Sequence, residues 1–130
     1  MTRRVLFVCV HNSGRSQMAE AFARELSEGR LDAESAGTEP TTGLNPVVIE
    51  AMRERGLDIT AQRPKLLTPE MARNADRIFT MGCYADGACP AFMLDAEDWA
   101  LDDPNGQPIE RVRRIRDDVE ARVRALIAES

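Results

Sequence analysis

The stretch Val5-Leu-Phe-Val-Cys9-Val-His-Asn-Ser-Gly-Arg15-Ser16-Gln-Met-Ala19 opens on four apolar residues, crosses a short polar loop and enters a helical pattern. That order predicts a strand–loop–helix unit, the building block of a parallel α/β sheet. The loop starts at a thiol, Cys9, and ends at a guanidinium, Arg15. Both suit attack on a tetrahedral oxyanion. Successive loop N–H groups of residues Val10, His11, Asn12, Ser13, Gly14, Arg15 and Ser16, together with the helix N-terminus, can cradle the anion, and the planar Arg15 fork can bind two of its oxygens. The same positive potential favours the thiolate, the reactive form of the sulfur. Seven residues closing on one centre leave little room for side chains, so Gly14 fits a point of close backbone approach.

Outward from this unit, the pattern predicts a strand over Arg4 to Val8 and a helix from about Ser16 to Ser27, burying Met18, Ala19, Phe22, Ala23 and Leu26. Ser16 stands in the first helical turn, where its hydroxyl can cap N–H groups or donate to Cys9. Leu31 to Ala36 alternates and stops at Gly37, a second strand, and Thr38 to Leu44 is a loop. Asn45-Pro46 and Thr68-Pro69 each read as an N-cap followed by proline at the first helical position. They open an amphipathic helix over Val47 to Arg55, stopped by Gly56, and a shorter one ending near Ala75. Leu57 to Leu67 is irregular, and Asp76 to Met81 is a third strand. A loop over Gly82 to Pro90 holds Cys83 and Cys89, a fourth strand falls between Phe92 and Leu101, and a last helix runs from about Ile109 to Ala128. Strands alternating with helices imply an α/β fold, a parallel sheet with helices on both faces. Cys9, the Gly82–Pro90 loop and Asp102-Asp103 each follow a predicted strand, so all three can converge on the crevice outside the strands' carboxyl ends.

The 130 residues suffice for one domain, 1–130, and not for two. A net charge of −5 argues against a nucleic-acid or anionic-membrane surface. No apolar run reaches the ~18 residues a membrane span needs, and the N-terminus carries no secretory cleavage pattern, so a cytoplasmic protein is expected. Three cysteines in such a compartment point to redox or nucleophilic chemistry rather than a disulfide framework. One histidine in the chain makes a poor zinc set, and no metal is expected. Attack by a thiolate on phosphate or arsenate requires a leaving oxygen to be protonated. Asp103, held before the rigid Pro104, is the candidate general acid.

At this point the chain resembles the low-molecular-weight tyrosine phosphatase fold and, within it, the arsenate reductases, over essentially its full length. The resemblance rests on Cys9-x5-Arg15-Ser16, Ser35-Ala36-Gly37-Thr38, the Cys83…Cys89-Pro90 loop and Trp99-x-x-Asp-Asp103-Pro104. It implies a three-layer α/β/α architecture with a four-stranded parallel sheet. It also implies that Asn12 braces the anion loop, that Ser16 hydrogen-bonds the nucleophile and that Asp103 is the acid. The phosphatases usually carry two aromatic residues after Asp-Pro. Here Asn105 and Gly106 stand there, which favours a small, bare oxyanion.

The resemblance further implies that Cys9 attacks arsenate, that Cys83 displaces arsenite by forming a disulfide with Cys9, and that Cys89 carries the disulfide onward to thioredoxin. Two electrons are needed, and one dithiol supplies two. Phosphate and sulfate would bind as analogues, with weak phosphatase activity as a by-product. The loop reads His11 and Gly14 where better-known members have Gly and Cys. Such loops also occur in members served by mycothiol with a glutaredoxin-like (mycoredoxin-like) protein, where the external thiol resolves the arsenic adduct. Some members bind potassium beside the anion loop through residues matching Asn12, Glu20, Ser35 and an acidic residue. Lys65, the only lysine in the chain, stands at the acidic position, so its ammonium would replace the ion. The expectation is a monomer with no bound cofactor, no nucleic-acid or membrane partner, and an external thiol reductant.

Overall fold

The computed structural model describes residues 3–81 and 96–129. Within them the elements run β1 (Arg3–Cys9), α1 (Arg15–Leu26), β2 (Leu31–Gly37), α2 (Pro46–Arg53), α3 (Pro69–Asn74), β3 (Arg77–Thr80), β4 (Glu97–Asp98) and α4 (Ile109–Glu129). The strands form one four-stranded parallel sheet in the order β2-β1-β3-β4. β1 is central, and the chain leaves it to one side for β2 before returning to the other side for β3. That reversal of direction opens a crevice at the carboxyl end of β1, where ligands of open α/β sheets bind.

Strand alternation assigns the faces. Val5, Phe7 and Cys9 point into the larger core, with α1, α2 and α4, whereas Leu6, Val8 and Val10 point into a smaller one beside Met71 and Ala72 of α3. Helices therefore cover both faces, as expected. Phe79 stacks between Phe7 and Trp99, with centroid distances of 5.8 and 4.7 Å, and this aromatic cluster fixes the segment that follows β4.

Local signals account for the starts of α2 and α3. Asn45 Oδ1 accepts from Val47 N at 3.0 Å and Thr68 Oγ1 from Met71 N at 3.2 Å, each ahead of a proline in the first turn. The fourth strand, Glu97–Asp98, falls inside the expected Phe92–Leu101 window and is two residues long among the described residues. α1 begins at Arg15, beside the expected start, and of the two roles open to Ser16 it does not take the cap; Gly14 is the N-cap and makes no side-chain cap bond. Among the described residues, no helix is long and apolar enough to cross a membrane.

Candidate active site

Cys9 is the last residue of β1 and only 2% exposed. Its sulfur receives the Asn12 N–H at 3.2 Å and lies 2.8 Å from Ser16 Oγ. Ser16 Oγ also accepts from Asn12 Nδ2 at 2.7 Å, which leaves the hydroxyl proton free to point at the sulfur. Two donors aimed at one sulfur suit an anion there. Ser16 thus bonds the Cys9 sulfur rather than the helix end.

The loop's carbonyls face outward. Val10 O, His11 O and Ser13 O accept from the N–H groups of Glu39, Thr41 and Asn45 at 2.8, 3.2 and 3.0 Å. A planar trans peptide points its N–H opposite its C=O, so the N–H groups of His11, Asn12 and Gly14 are turned inward. The N–H groups of α1's first turn face the same space, because the helix itself supplies them no partner. Val10 contributes backbone only, since its side chain belongs to the far-face core.

Asn12 holds this shape. Its φ of +53° is left-handed, a region that asparagine tolerates better than most residues. Its Oδ1 accepts from Lys65 N at 2.8 Å and Gln17 Nε2 at 3.1 Å, and its backbone O accepts from the same Gln17 nitrogen at 2.9 Å. Gln62 Nε2 in turn holds Gln17 Oε1 at 2.6 Å. From the other side, β2 presses directly on the loop. A Cβ on Gly37 would lie 2.6 Å from Val10 O and 3.0 Å from Asn12 N, so no side chain fits there.

Beneath the loop, the Glu20 carboxylate is 3% exposed and accepts from Ser35 Oγ at 2.9 Å. Arg24 lies 3.5 Å and the Lys65 ammonium 3.7 Å from its oxygens, and Lys65 also lies 3.9 Å from Glu34. The four support residues expected from the sequence, Asn12, Glu20, Ser35 and Lys65, therefore meet at one place.

Above the sulfur, Arg15 Nη1 donates to Leu101 O at 3.1 Å, and Nη2 lies 3.9 Å from Asp103 Oδ1. Arg15 is 6% exposed and Asp103 half exposed. The cleft over Cys9 is lined by His11, Ser13, Gly14, Arg15, Asn45, Asp103, Pro104 and Asn105. Among the described residues, no Phe, Tyr or Trp lines it. Cys83 and Cys89 lie outside the described residues. Sequence reading missed Gln17, Gln62 and the Leu101 carbonyl. A glutamine between Ser16 and the core residue Met18 was the available sign, since Gln17 is 1% exposed.

Residues 4–130 match the family model described as low molecular weight phosphotyrosine protein phosphatase. The chain is 38% identical to an arsenate reductase of Staphylococcus aureus strain Newman over 122 residues, covering 92% of each protein. It superposes on a solved arsenate reductase in the phosphate binding state with a TM-score of 0.88, 38% identity and 98% coverage of both chains. A thioredoxin-dependent arsenate reductase of Corynebacterium glutamicum gives a TM-score of 0.81 at 34% identity, covering 98% of this chain and 61% of that one. A loop of inward-facing N–H groups at the end of β1, with a thiol at its floor, thus sits in a chain that belongs to the low molecular weight phosphotyrosine protein phosphatase family and, within it, to the arsenate reductases.

Proposed function

We propose that the protein reduces arsenate to arsenite through a covalent adduct on Cys9. The observation that carries this reading is the sulfur itself, buried beneath inward-facing amides, with Asn12 N–H and Ser16 Oγ on it and Arg15 and Asp103 above. Cys9 attacks arsenic, forming an S–As bond. Arg15 and the loop N–H groups hold the remaining oxygens, and Asp103 protonates the oxygen that leaves as water. Among the described residues, the mouth of His11, Asn45 and Asn105 carries no Phe, Tyr or Trp wall for an aryl ester and suits a bare anion. That feature supports reduction over phosphatase chemistry.

Resolution takes two electrons from thiols. Cys83 attacks the Cys9 sulfur, the S–As pair passes to arsenic and arsenite departs, leaving a Cys9–Cys83 disulfide. Cys89 then attacks Cys83, freeing Cys9, and thioredoxin reduces the Cys83–Cys89 disulfide, in keeping with a cytoplasmic thiol supply. The thioredoxin-dependent relative supports this choice of reductant. Lys65, set between Glu20 and Glu34 and bonded through its N–H to Asn12, supplies the positive charge that steadies the loop from below.

Trapping decides the relay. A Cys89→Ala variant given one equivalent of arsenate should accumulate a Cys9–Cys83 disulfide, found by peptide mass mapping, and should stop after one turnover with thioredoxin. Full turnover of Cys83→Ala and Cys89→Ala with mycothiol and a glutaredoxin-like protein would instead assign resolution to the external thiol.

A further inference from the structure

Gly14 is the point where the two halves of the site touch. A Cβ built on it would lie 2.8 Å from Pro104 Cγ, 3.7 Å from Pro104 Cδ and 3.6 Å from Val48 Cγ2. The first distance is well inside the ~3.5–4.0 Å at which carbon atoms rest, so a methyl at residue 14 displaces the ring. The Gly14 φ of −140° is not left-handed. Close approach to Pro104 is what a side chain here would meet first.

The turn that carries Pro104 is a tied unit. Asp103 Oδ1 accepts from Asn105 N at 3.0 Å, Gln107 N donates to Pro104 O at 3.1 Å, and Arg111 Nη2 holds Asp102 Oδ2 at 2.6 Å. It meets the anion loop through the Pro104 ring on Gly14 and through Asp103 beside Arg15. The seated turn overhangs the cleft above Cys9, which Asp103, Pro104 and Asn105 help to line.

We infer that the Asp103–Pro104 turn seats on the bare α-carbon of Gly14, and that Gly14 is thereby a positioning residue for the acid. The inference rests on the reading of Cys9 as nucleophile and Asp103 as acid. A bound anion draws Arg15 Nη2 from Asp103 onto its own oxygens, while Leu101 O keeps hold of Nη1, and the seated turn holds Asp103 above the leaving oxygen.

The test is a double-mutant cycle with Gly14→Ala, Pro104→Ala and the pair. Its readouts are arsenate kcat, binding of inorganic phosphate by calorimetry, and alkylation of Cys9 by iodoacetamide followed by peptide mass. Alkylation is taken at its pH-independent limit, so that exposure is separated from thiolate population. In the wild-type background, Gly14→Ala should lower kcat about tenfold and raise limiting alkylation about fivefold, because a displacement near 1 Å misplaces the acid. Phosphate binding should change less than about threefold, since loop amides and Arg15 hold the anion. In the Pro104→Ala background the same substitution should change kcat and alkylation less than about twofold, because the atom it strikes is gone. Equal effects in both backgrounds, or none in either, overturn the proposal. Should Gly14→Ala not fold, Pro104→Ala alone must raise Cys9 alkylation about threefold, and an unchanged rate overturns it equally. Alkylation and phosphate binding do not depend on reduction. A protein that fails to make arsenite but obeys the cycle refutes the arsenate reading and leaves the seated turn standing.

Discussion

The floor of the anion loop and the seam between α2 and α4 use similar residues to opposite ends. At the seam, Glu54 meets Arg113 at 2.7 Å and Arg116 at 2.8 Å, and Glu120 meets Arg55 at 2.7 Å and Arg124 at 2.9 Å. Each carboxylate has two guanidiniums, most of the groups are at least partly exposed, and loss of one partner leaves another. Beneath the loop, Glu20, Asn12, Gln17, Ser16 and Ser35 are all buried, and their polar atoms have named partners and no solvent to fall back on. Redundant pairs open to water tune stability slightly, whereas bonds among buried groups fix a geometry. Substitutions should therefore be graded by region.

The largest effect belongs to Cys9→Ser. It should lower arsenite production by about a thousandfold or more while leaving phosphate binding and the melting temperature near wild type, because only nucleophilicity is removed. Production within about tenfold of wild type would refute the assignment.

Arg15→Lys comes next. A point charge cannot hold both Leu101 O and two anion oxygens, so kcat/KM for arsenate should fall about a hundredfold with little change in stability. An unchanged KM and kcat would remove Arg15 from the site.

On the floor, Asn12→Ala should cost about 2–4 kcal/mol in chemical denaturation, from the left-handed backbone and the unmade bonds to Lys65 and Ser16. Lys65→Ala should cost less, about 1–2 kcal/mol, because Arg24 still faces Glu20. Potassium should be nearly inert toward the wild-type melting temperature and should restore part of the loss in the variant. A clear potassium optimum in the wild type would return Lys65 to the solvated surface.

The seam should respond least. Hydrogen bonding from Arg113, aided by Arg116, holds the Glu54 carboxyl down from 4.5 to about 2. A depressed carboxyl adds stability that is complete above pH 4.5 and disappears as the pH falls toward about 2. Glu54→Gln should flatten the stability profile across that window and leave neutral-pH arsenate turnover unchanged. A marked loss of stability at neutral pH would mean that the seam is not an ordinary exposed pair.

The same contrast explains what the sequence could disclose. The helix starts at Asn45-Pro46 and Thr68-Pro69 were legible because cap and helix are neighbours in the chain. So were Cys9, Arg15 and Ser16, which share one loop. Asp103 was legible through the rigid Pro104 and the family resemblance. The Leu101 carbonyl that holds Arg15 is 86 positions away, and Gln62 is 45 positions from Gln17. No periodicity or spacing reports such pairs. Gly37 read as a strand stop, and its close approach to Val10 and Asn12 emerges only once β2 lies beside β1. Ser16 was ambiguous between cap and thiol partner until the loop geometry placed its hydroxyl on the sulfur.

The most direct test of the central claim, that Cys9 and its cradle act on a bare oxyanion in a thiol-coupled reduction, is a side-by-side assay of the wild-type protein. Arsenite formed from arsenate is measured with thioredoxin and with mycothiol plus a glutaredoxin-like protein, alongside hydrolysis of an aryl phosphate. The prediction is sustained arsenite formation with at least one thiol system, at a kcat/KM about tenfold or more above that for the aryl ester. Steady aryl phosphate hydrolysis without arsenite from either thiol system would contradict it.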